Sequence, residues 1–324
     1  EAEIADAFPA QIDGFRQLRQ HVLEHNAFDL AAPVRSSREI VRQTIGDPVL
    51  EDMLFCPLMY YGSAREGDMD WDQFVIMWRA LFEEGFARPY AGVRVIIKAL
   101  VDRFREVGGK RRMKTGVRRI LEEGGRCSGV ETETGEILTA RRVLSTIGIR
   151  ETESLSGLLP ETEAVARAGR LGFVETMSFF PDQPAELGWT DTIAFFNTRD
   201  RFAYRCPEDP VDPTSGVICF PNNYDYGEQG NLPEGILRVT ALANPDTWMA
   251  YPENEYEARK TEWFQRLQAA ALEVLPPLPD RRAWEDSIAF KDMFTPRTVK
   301  KFTSHINGAI YGSPEKYRTG ETAL

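Results

Sequence analysis

The stretch that decides the fold is PYAGVRVIIKALVDRFREVGGKRRMKTGVRRILEEGGRCSGVETETGEILTARRVLST, residues 89–146. In its first half, apolar side chains recur every three to four residues, which is the spacing of one helix face. These side chains are Val93, Ile96, Ile97, Leu100, Val101 and Phe104. Gly108-Gly109 follows directly, and glycine after the last periodic residue is typical of a helix end. This half therefore predicts an amphipathic helix that stops at the glycine pair.

The second half of the stretch predicts three short strands in meander order. Val117 to Glu122 precedes Gly124-Gly125, Gly129 to Thr134 precedes Gly135, and a third run extends from Ile137 to Thr146. Such β-forming runs between glycine turns are typical of antiparallel hairpins. Helix and meander together predict one compact module within residues 89–150.

Residues 1–88 predict a helical region. Ser36 and Glu39 have the spacing of a capping box at a helix start. Asp47-Pro48 predicts a second helix, because Asp caps a helix and proline is tolerated at its first position; this helix is expected to end by Pro57.

The third helix of this region is predicted between Asp70 and Gly85, and it has an unusually aromatic face. Its apolar positions are Trp71, Phe74, Val75, Trp78, Leu81 and Phe82. Two interpretations fit this face. It packs against a core, or it lines a channel for an apolar substrate.

The residues after the module predict a second sheet. Four apolar, β-forming runs lie between Pro, Gly, Asn and Asp: Phe173 to Phe180, Thr192 to Phe196, Val217 to Phe220 and Leu237 to Leu242. The predicted class is α/β (α+β), in three parts: a helical substrate-side region at 1–88, the module at 89–150 and a substrate domain at 151–324.

Charge and composition exclude several functional classes. The 324 residues carry 39 Lys and Arg against 50 Asp and Glu, a net charge of −11. Binding to nucleic acid without sequence preference needs a basic contact face, so no nucleic-acid partner is predicted. No apolar run approaches the ~20 residues that span a bilayer. Four cysteines without a C-x-x-C pair favour a reducing compartment, and the cytoplasm is the predicted location.

One basic cluster interrupts this acidic background. It comprises Lys110, Arg111, Arg112, Lys114, Arg118 and Arg119. The cluster is interpreted either as a solvated sheet face or as a surface for an anionic cofactor or membrane headgroups.

No motif assigns a reaction by itself. The 25 glycines include no G-x-G triplet, and neither a Walker pattern nor a G-x-S-x-G elbow occurs. His21 and His25 are four residues apart without a third ligand, so no metal is predicted. His305 is interpreted as a structural residue or a base. The segment Pro221 to Tyr226 is interpreted as a turn or as site residues at a strand end.

Two stretches together resemble a known family. One is the decisive stretch itself; the other joins Phe294-Thr295-Pro296 to Asn307-Gly308-Ala309-Ile310-Tyr311-Gly312. In this order they resemble the phytoene desaturase and carotenoid isomerase group of flavin amine-oxidase-like oxidoreductases. The resemblance covers most of residues 85–324. Ala91 departs from it, because the family usually has the first of two glycines there.

The resemblance implies a glutathione-reductase-type fold, in which part of a FAD-binding domain is interleaved with a mixed-sheet substrate domain. It implies that Val117 meets the adenine end of FAD through its backbone. It also implies that Ser145, Thr146 and Gly148 lie near the cofactor. The family's glycine-rich turn and last flavin segment fall outside the 324 residues, so the resemblance implies a fragment of a longer protein.

The implied reaction moves hydride from an apolar polyene or isoprenoid to the flavin, or isomerises a double bond. No catalytic residue is assigned, because the cofactor carries the chemistry. Trp78, Phe180, Phe196 and Tyr311 are the predicted substrate-binding residues, and peripheral membrane contact is expected with such a substrate. Two alternatives stay open: a flavoenzyme that oxidises amines or amino acids, and a non-catalytic isoprenoid-binding protein of the same fold.

Overall fold

A computed structural model describes residues 1–29 and 31–315. The helical region contains α1 Ala2–Ala7, α2 Ile12–Glu24, α3 Ser37–Val41, α4 Pro48–Gly62 and α5 Trp71–Trp78. The Ser36 half of the predicted capping box of α3 is confirmed, because the Ser36 side chain accepts a hydrogen bond from the Glu39 amide. In the part of the chain that is described, no helix is both long and apolar enough to cross a membrane.

Helix α4 corrects one prediction. The second helix does not end by Pro57; that proline lies inside α4. An interior proline removes a backbone hydrogen bond and costs about 3 kcal/mol. Most residues between Leu50 and Gly62 are buried, so the packing of this helix outweighs the cost.

Helix α5 carries the aromatic face. It continues as a π-helical segment, Arg79–Glu84, which ends at Gly85 with φ of 77°. Trp71, Phe74 and Trp78 are each at most 1% exposed. The face therefore packs in the core, which is the first of the two interpretations.

The module consists of α6 Arg94–Glu106 and a three-stranded antiparallel sheet, with β1 Val117–Glu123, β2 Arg126–Thr132 and β3 Ile137–Thr139. The helix and its stop are confirmed, because α6 ends just before Gly108, whose φ is 87°. The predicted third strand is shorter than expected. It ends at Thr139, and residues 143–146 lie in no strand.

The second sheet contains β4 Gly172–Phe180, β5 Ile193–Asn197, β6 Ser215–Cys219, β7 Gly235–Ala243 and β8 Phe290–Phe294. Its strand order is β5-β6-β7-β4-β8. Every pair in it is antiparallel, where a mixed sheet was expected. The helices around it are α7 Ile149–Ser156, α8 Glu161–Ala166, α9 Pro245–Ala250, α10 Glu253–Val274, α11 Arg281–Ser287 and α12 Pro296–Thr303.

The two faces of this sheet pack against different partners. On the outer face, Val174 and Val239 share a core with Trp263 and Leu267 of α10. On the inner face, a second core joins strand residues to α4 and α5; its strand members are Phe173, Val217 and Leu242. The predicted α/β (α+β) class with a helical region is confirmed. The three domain boundaries stay predictions, and residues 316–324 of the third lie outside the described residues.

Candidate functional site

Two of the predicted cofactor residues, Ser145 and Gly148, are each hydrogen-bonded to Thr152 of α7. The Thr152 hydroxyl donates to the Gly148 carbonyl at 2.6 Å, and Ser145 Oγ lies 2.7 Å from the same Thr152 oxygen. Gly148 has φ of 122°, and a Cβ there would lie 2.2 Å from a Glu151 carboxylate oxygen. Glycine is therefore the residue this turn accommodates. Thr146, between them, is exposed.

A cleft of about 670 Å³ opens between β1 and α7. Ser145 and Thr152 line it, together with Ile120 and Leu121 from β1. Val117, the predicted adenine contact, begins β1, pairs with Thr132 and is 39% exposed, but it does not line this cleft. The structure thus brings Ser145 to a cleft and leaves Val117 outside it.

The connection from β3 to α7 is incompletely bonded. Residues 141–147 make no backbone hydrogen bond to any of the residues described. Leu144 within it is 92% exposed. Helix α6 is equally bare: it has no buried residue, and Leu100 is 66% exposed. Proteins normally pair the backbone groups of such a β-forming segment with another strand, and they normally cover an apolar helix face.

The four predicted substrate residues do not come together. Trp78 belongs to the inner core, whereas Phe180 and Phe196 belong to the outer core. Tyr311 is on the inner side, where its ring lies 5.8 Å from that of Phe173. Because the sheet separates the two cores, these residues do not line one cavity.

The strand alternation explains this correction. Phe179-Phe180 and Phe195-Phe196 each lie within a strand, where neighbouring side chains point to opposite faces. Phe180 and Phe196 face the outer core, so Phe179 and Phe195 face inward. The sequence predicted aromatic pairs at both places, but it did not show which member faces the helical region.

The inner face is covered at one end only. Near α4 it is buried, but towards Phe290, which is 56% exposed, its residues are partly open to solvent. We call this part the open half. Its members are Glu175, Met177, Phe179, Cys219, Ile236, Arg238, Phe290 and Asp292.

An ion pair that the sequence analysis missed lies in the open half. Arg238 Nη2 is 2.7 Å from both carboxylate oxygens of Glu175, and Nε is 3.0 Å from one of them. Thr240 donates to Glu175 at 3.0 Å. Burial opposes the charge of Arg238, but the Glu175 carboxylate outweighs it and raises the pKa of the guanidinium. The signal was a single charge inside each of two apolar strand runs.

An aromatic wall borders this pair. The Tyr61 ring, from α4, lies 4.9 Å from Phe86 and 5.6 Å from Phe195. Its hydroxyl is 4.0 Å from Cys219 Sγ, and Cys219 is paired with Arg238 across the strands. Burial raises the pKa of both Tyr61 and Cys219, so both are neutral near pH 7.

The segment after α5 brings a second arginine to the same region. Arg88 Nη1 donates to the Tyr226 hydroxyl at 2.6 Å. The Tyr226 ring lies 6.4 Å from that of Tyr224. The segment begins as a 3-10 helix, Pro221–Asn223, and the Asn222 and Asn223 side chains bond the distant backbone carbonyls of Glu234 and Trp189. The segment is thus held to the strands beside it, and its Tyr226 contacts Arg88.

Comparisons with known proteins bear on the fold. No protein-family profile matches the chain. No curated protein matches it either. Among solved structures, an oxidoreductase from Methanosarcina mazei is similar at a TM-score of 0.53 and 13% identity, over 87% of this chain and 60% of that one. The chain shares that fold. It spans 60% of that oxidoreductase's length, and at this identity the likeness concerns the fold alone.

Two further structures are more distant. A putrescine oxidase variant redesigned in cofactor binding has a TM-score of 0.49 at 12% identity, over 93% of this chain and 74% of that one. Amadoriase I from Aspergillus fumigatus, a fructosyl amine:oxygen oxidoreductase, has a TM-score of 0.24 at 15% identity, over 56% of this chain and 35% of that one.

Proposed function

We propose that the protein is a FAD-dependent oxidoreductase that acts on an apolar substrate of the polyene or isoprenoid class. The observation that carries the proposal is the fold shared with the Methanosarcina mazei oxidoreductase over 87% of the chain. The family resemblance of residues 89–146 and 294–312 supports the flavin and the substrate class.

The residues present fit one side of a flavin nucleotide site. Gly148 keeps the backbone accessible at the start of α7, and residues 143–147 offer free backbone donors and acceptors. The glycine-rich turn that seats a pyrophosphate is not among the described residues. The exposed apolar face of α6 supports a further layer of polypeptide over this module, and we propose that this layer completes the nucleotide site.

FAD, when bound, supplies the hydride acceptor for the reaction. The chain's own contribution lies in the open half of the inner face. Phe179 and Met177 offer apolar contacts on β4, and Tyr61 and Phe195 form an aromatic wall on the β5–β6 side of the same face. Such a surface orients an apolar chain and excludes water from it.

The charges of the open half favour an apolar substrate over an amine. Glu175 is bound by Arg238, and Asp292 is bound by Lys260 at 2.7 Å. A cationic amine needs a carboxylate or an aromatic cage to replace its hydration. Both carboxylates of this surface already have cationic partners, so an amine would depend on the aromatic side chains alone, and amine oxidation is the weaker alternative.

A flavin titration of the purified full chain tests the proposal. We expect bound FAD, measured by gel filtration and visible absorbance, and bleaching of that absorbance under anaerobic conditions by an isoprenoid polyene. Ser145→Val, which removes the hydroxyl at the cleft, should weaken FAD binding, whereas Ser154→Val, within the neighbouring helix α7, should not. Bleaching by putrescine instead of the polyene would select the amine oxidase, and polyene binding without flavin would select the non-catalytic protein.

A further inference from the structure

Arg238 has donor capacity that its partner does not use. Glu175 occupies Nε and Nη2, whereas Nη1 has no hydrogen bond to any described residue. The side chain is 39% exposed, against 15% for Glu175. The pair therefore fixes the guanidinium in place with one edge available to a ligand. Guanidinium edges of this kind bind carboxylate oxygens well.

The second arginine adds to the same field. Arg88 uses Nη1 for the Tyr226 hydroxyl and the nearby Pro89 and Tyr90 carbonyls. Its Nε and Nη2 have no hydrogen bond within the described residues. Tyr224 lies within the electrostatic range of both arginines: burial raises the pKa of its hydroxyl, and Arg88 and Arg238 oppose the rise. The Tyr226 hydroxyl that Arg88 contacts donates to the Pro221 carbonyl at 2.7 Å, and Pro221 lies two residues after Cys219, the cross-strand partner of Arg238. Arg88 and Arg238 therefore border one volume at the end of β6, beside Tyr224.

The charges around that volume do not cancel. Arg238 and Arg88 are positive and Glu175 is negative, which leaves one positive charge. Asp292 and Lys260 neutralise each other. Asp225 keeps its negative charge, but its side chain is exposed and bonded to the Gly227 amide of its own turn, so solvent screens it from this volume. A single positive charge beside an uncharged aromatic wall matches a monoanion attached to an apolar body.

We propose that the open half of the inner face binds the carboxylate of an apolar carboxylic acid, with Arg238 and Arg88 as its specificity-determining residues. The carboxylate lies against the free edge of Arg238 and within reach of Arg88 and the Tyr224 hydroxyl. The apolar body lies along Tyr61 and Phe195. The proposal deepens the proposed function, on which it rests for the apolar substrate class, and adds a polar end to that class.

Binding of a fluorescent polyene acid tests this without flavin turnover. The full chain is titrated with cis-parinaric acid, with its methyl ester and with the corresponding amine, and probe fluorescence reports binding. We expect the acid to bind about tenfold or more tightly than the ester, because a hydrogen bond to a charged group is lost in the ester. The amine should bind most weakly, since the local charge is positive.

The variants separate recognition from folding. Removing Arg238 alone leaves Glu175 unpaired, so the main variant is Glu175→Gln with Arg238→Met. It should weaken binding of the acid about tenfold and leave the ester unchanged. Arg88→Met should also weaken binding of the acid, by a smaller factor, and leave the ester unchanged. It provides the test if the double variant does not fold. Arg282→Met, on exposed α11, is the matched control and should change neither ligand.

Four outcomes overturn the proposal: no binding of the acid, equal affinity for acid and ester, acid affinity unchanged in both arginine variants, or tighter binding of the amine than of the acid. A protein that binds the acid but never reduces FAD would contradict the proposed function and leave this site standing.

Discussion

Helices α5 and α6 show the same kind of apolar stripe in the sequence and opposite environments in the structure. Most residues of α5 are buried, and Trp71 is fully covered by its neighbours. None of α6 is buried, and Ile96 and Ile97 are each 51% exposed. A stripe therefore predicts that a helix needs an apolar partner, but it does not show where that partner lies in the chain.

The ion pairs of the two regions also differ in their exposure to solvent. In the covered region, Glu51 is 5% exposed in its side chain and is bound by Arg38 and Arg42. In the module, Glu136 is 47% exposed and is bound by Arg112. Ion pairs in the two regions look alike as pairs, yet only the first is removed from water.

The largest expected difference between α5 and α6 is in the free energy of unfolding when a residue of the apolar stripe is replaced by alanine. Trp71→Ala should lower the free energy of unfolding by about 3–5 kcal/mol, since it opens a cavity in a packed core. Leu100→Ala, in the bare stripe of α6, should change it by less than about 0.5 kcal/mol. Urea unfolding followed by circular dichroism measures both. Similar losses for the two variants would show that α6 is covered in solution.

Removal of the buried carboxylate should have a comparable or smaller effect. Glu51→Ala removes the carboxylate that Arg38 and Arg42 share and should cost about 2–3 kcal/mol at pH 7, below the full cost of breaking a buried pair, because Arg38 keeps Asp52 at 3.4 Å and Arg42 is 55% exposed. Burial opposes ionisation of Glu51, but the two arginines prevail and lower its pKa. The stability it contributes is therefore present above its unfolded pKa of about 4.3 and lost as pH falls through the lower folded value.

Unfolding across this pH range provides the control. The wild type should lose stability steadily below about pH 4.5, whereas Glu51→Ala should show a flatter profile. Glu136→Ala, which breaks the exposed pair with Arg112, should leave the curve unchanged. A Glu51→Ala profile parallel to the wild type would contradict the assigned role.

The smallest change in the free energy of unfolding is expected for substitutions on α6, although they remove exposed apolar surface. Ile97→Ser with Leu100→Ser should alter the free energy of unfolding by no more than about 0.5 kcal/mol per site. It should reduce the fluorescence of a hydrophobic dye and any self-association at high concentration, because an exposed apolar patch favours both. Met53→Ser, at an exposed position on α4 and outside the module, is the control. Unchanged dye binding would place the bare apolar surface elsewhere.

Local patterns predicted several features correctly. The Ser36 cap, the α6 stop at Gly108 and the order of short strands all follow from neighbouring residues, and the structure confirms them. The end of α4 did not follow, because burial of the whole helix outweighs the local cost of Pro57. Residues 143–146 form no strand, because a strand needs a neighbour to bond with.

The candidate site was less predictable than the fold. The resemblance led to Ser145 and Gly148, which are linked through Thr152, and to Phe180 and Phe196, which face the outer core. Glu175 and Arg238 are 63 residues apart, and only the register of β4 and β7 brings them together.

By itself, the sequence determined where helices and strands begin, the charge balance and the presence of a basic module, because these depend on residues within a few positions of one another. The tertiary structure decided which apolar face is covered, which member of each phenylalanine pair faces inward and which charges share a site. Those outcomes depend on contacts between segments far apart in the chain, and an apolar or charged side chain alone does not specify its partner.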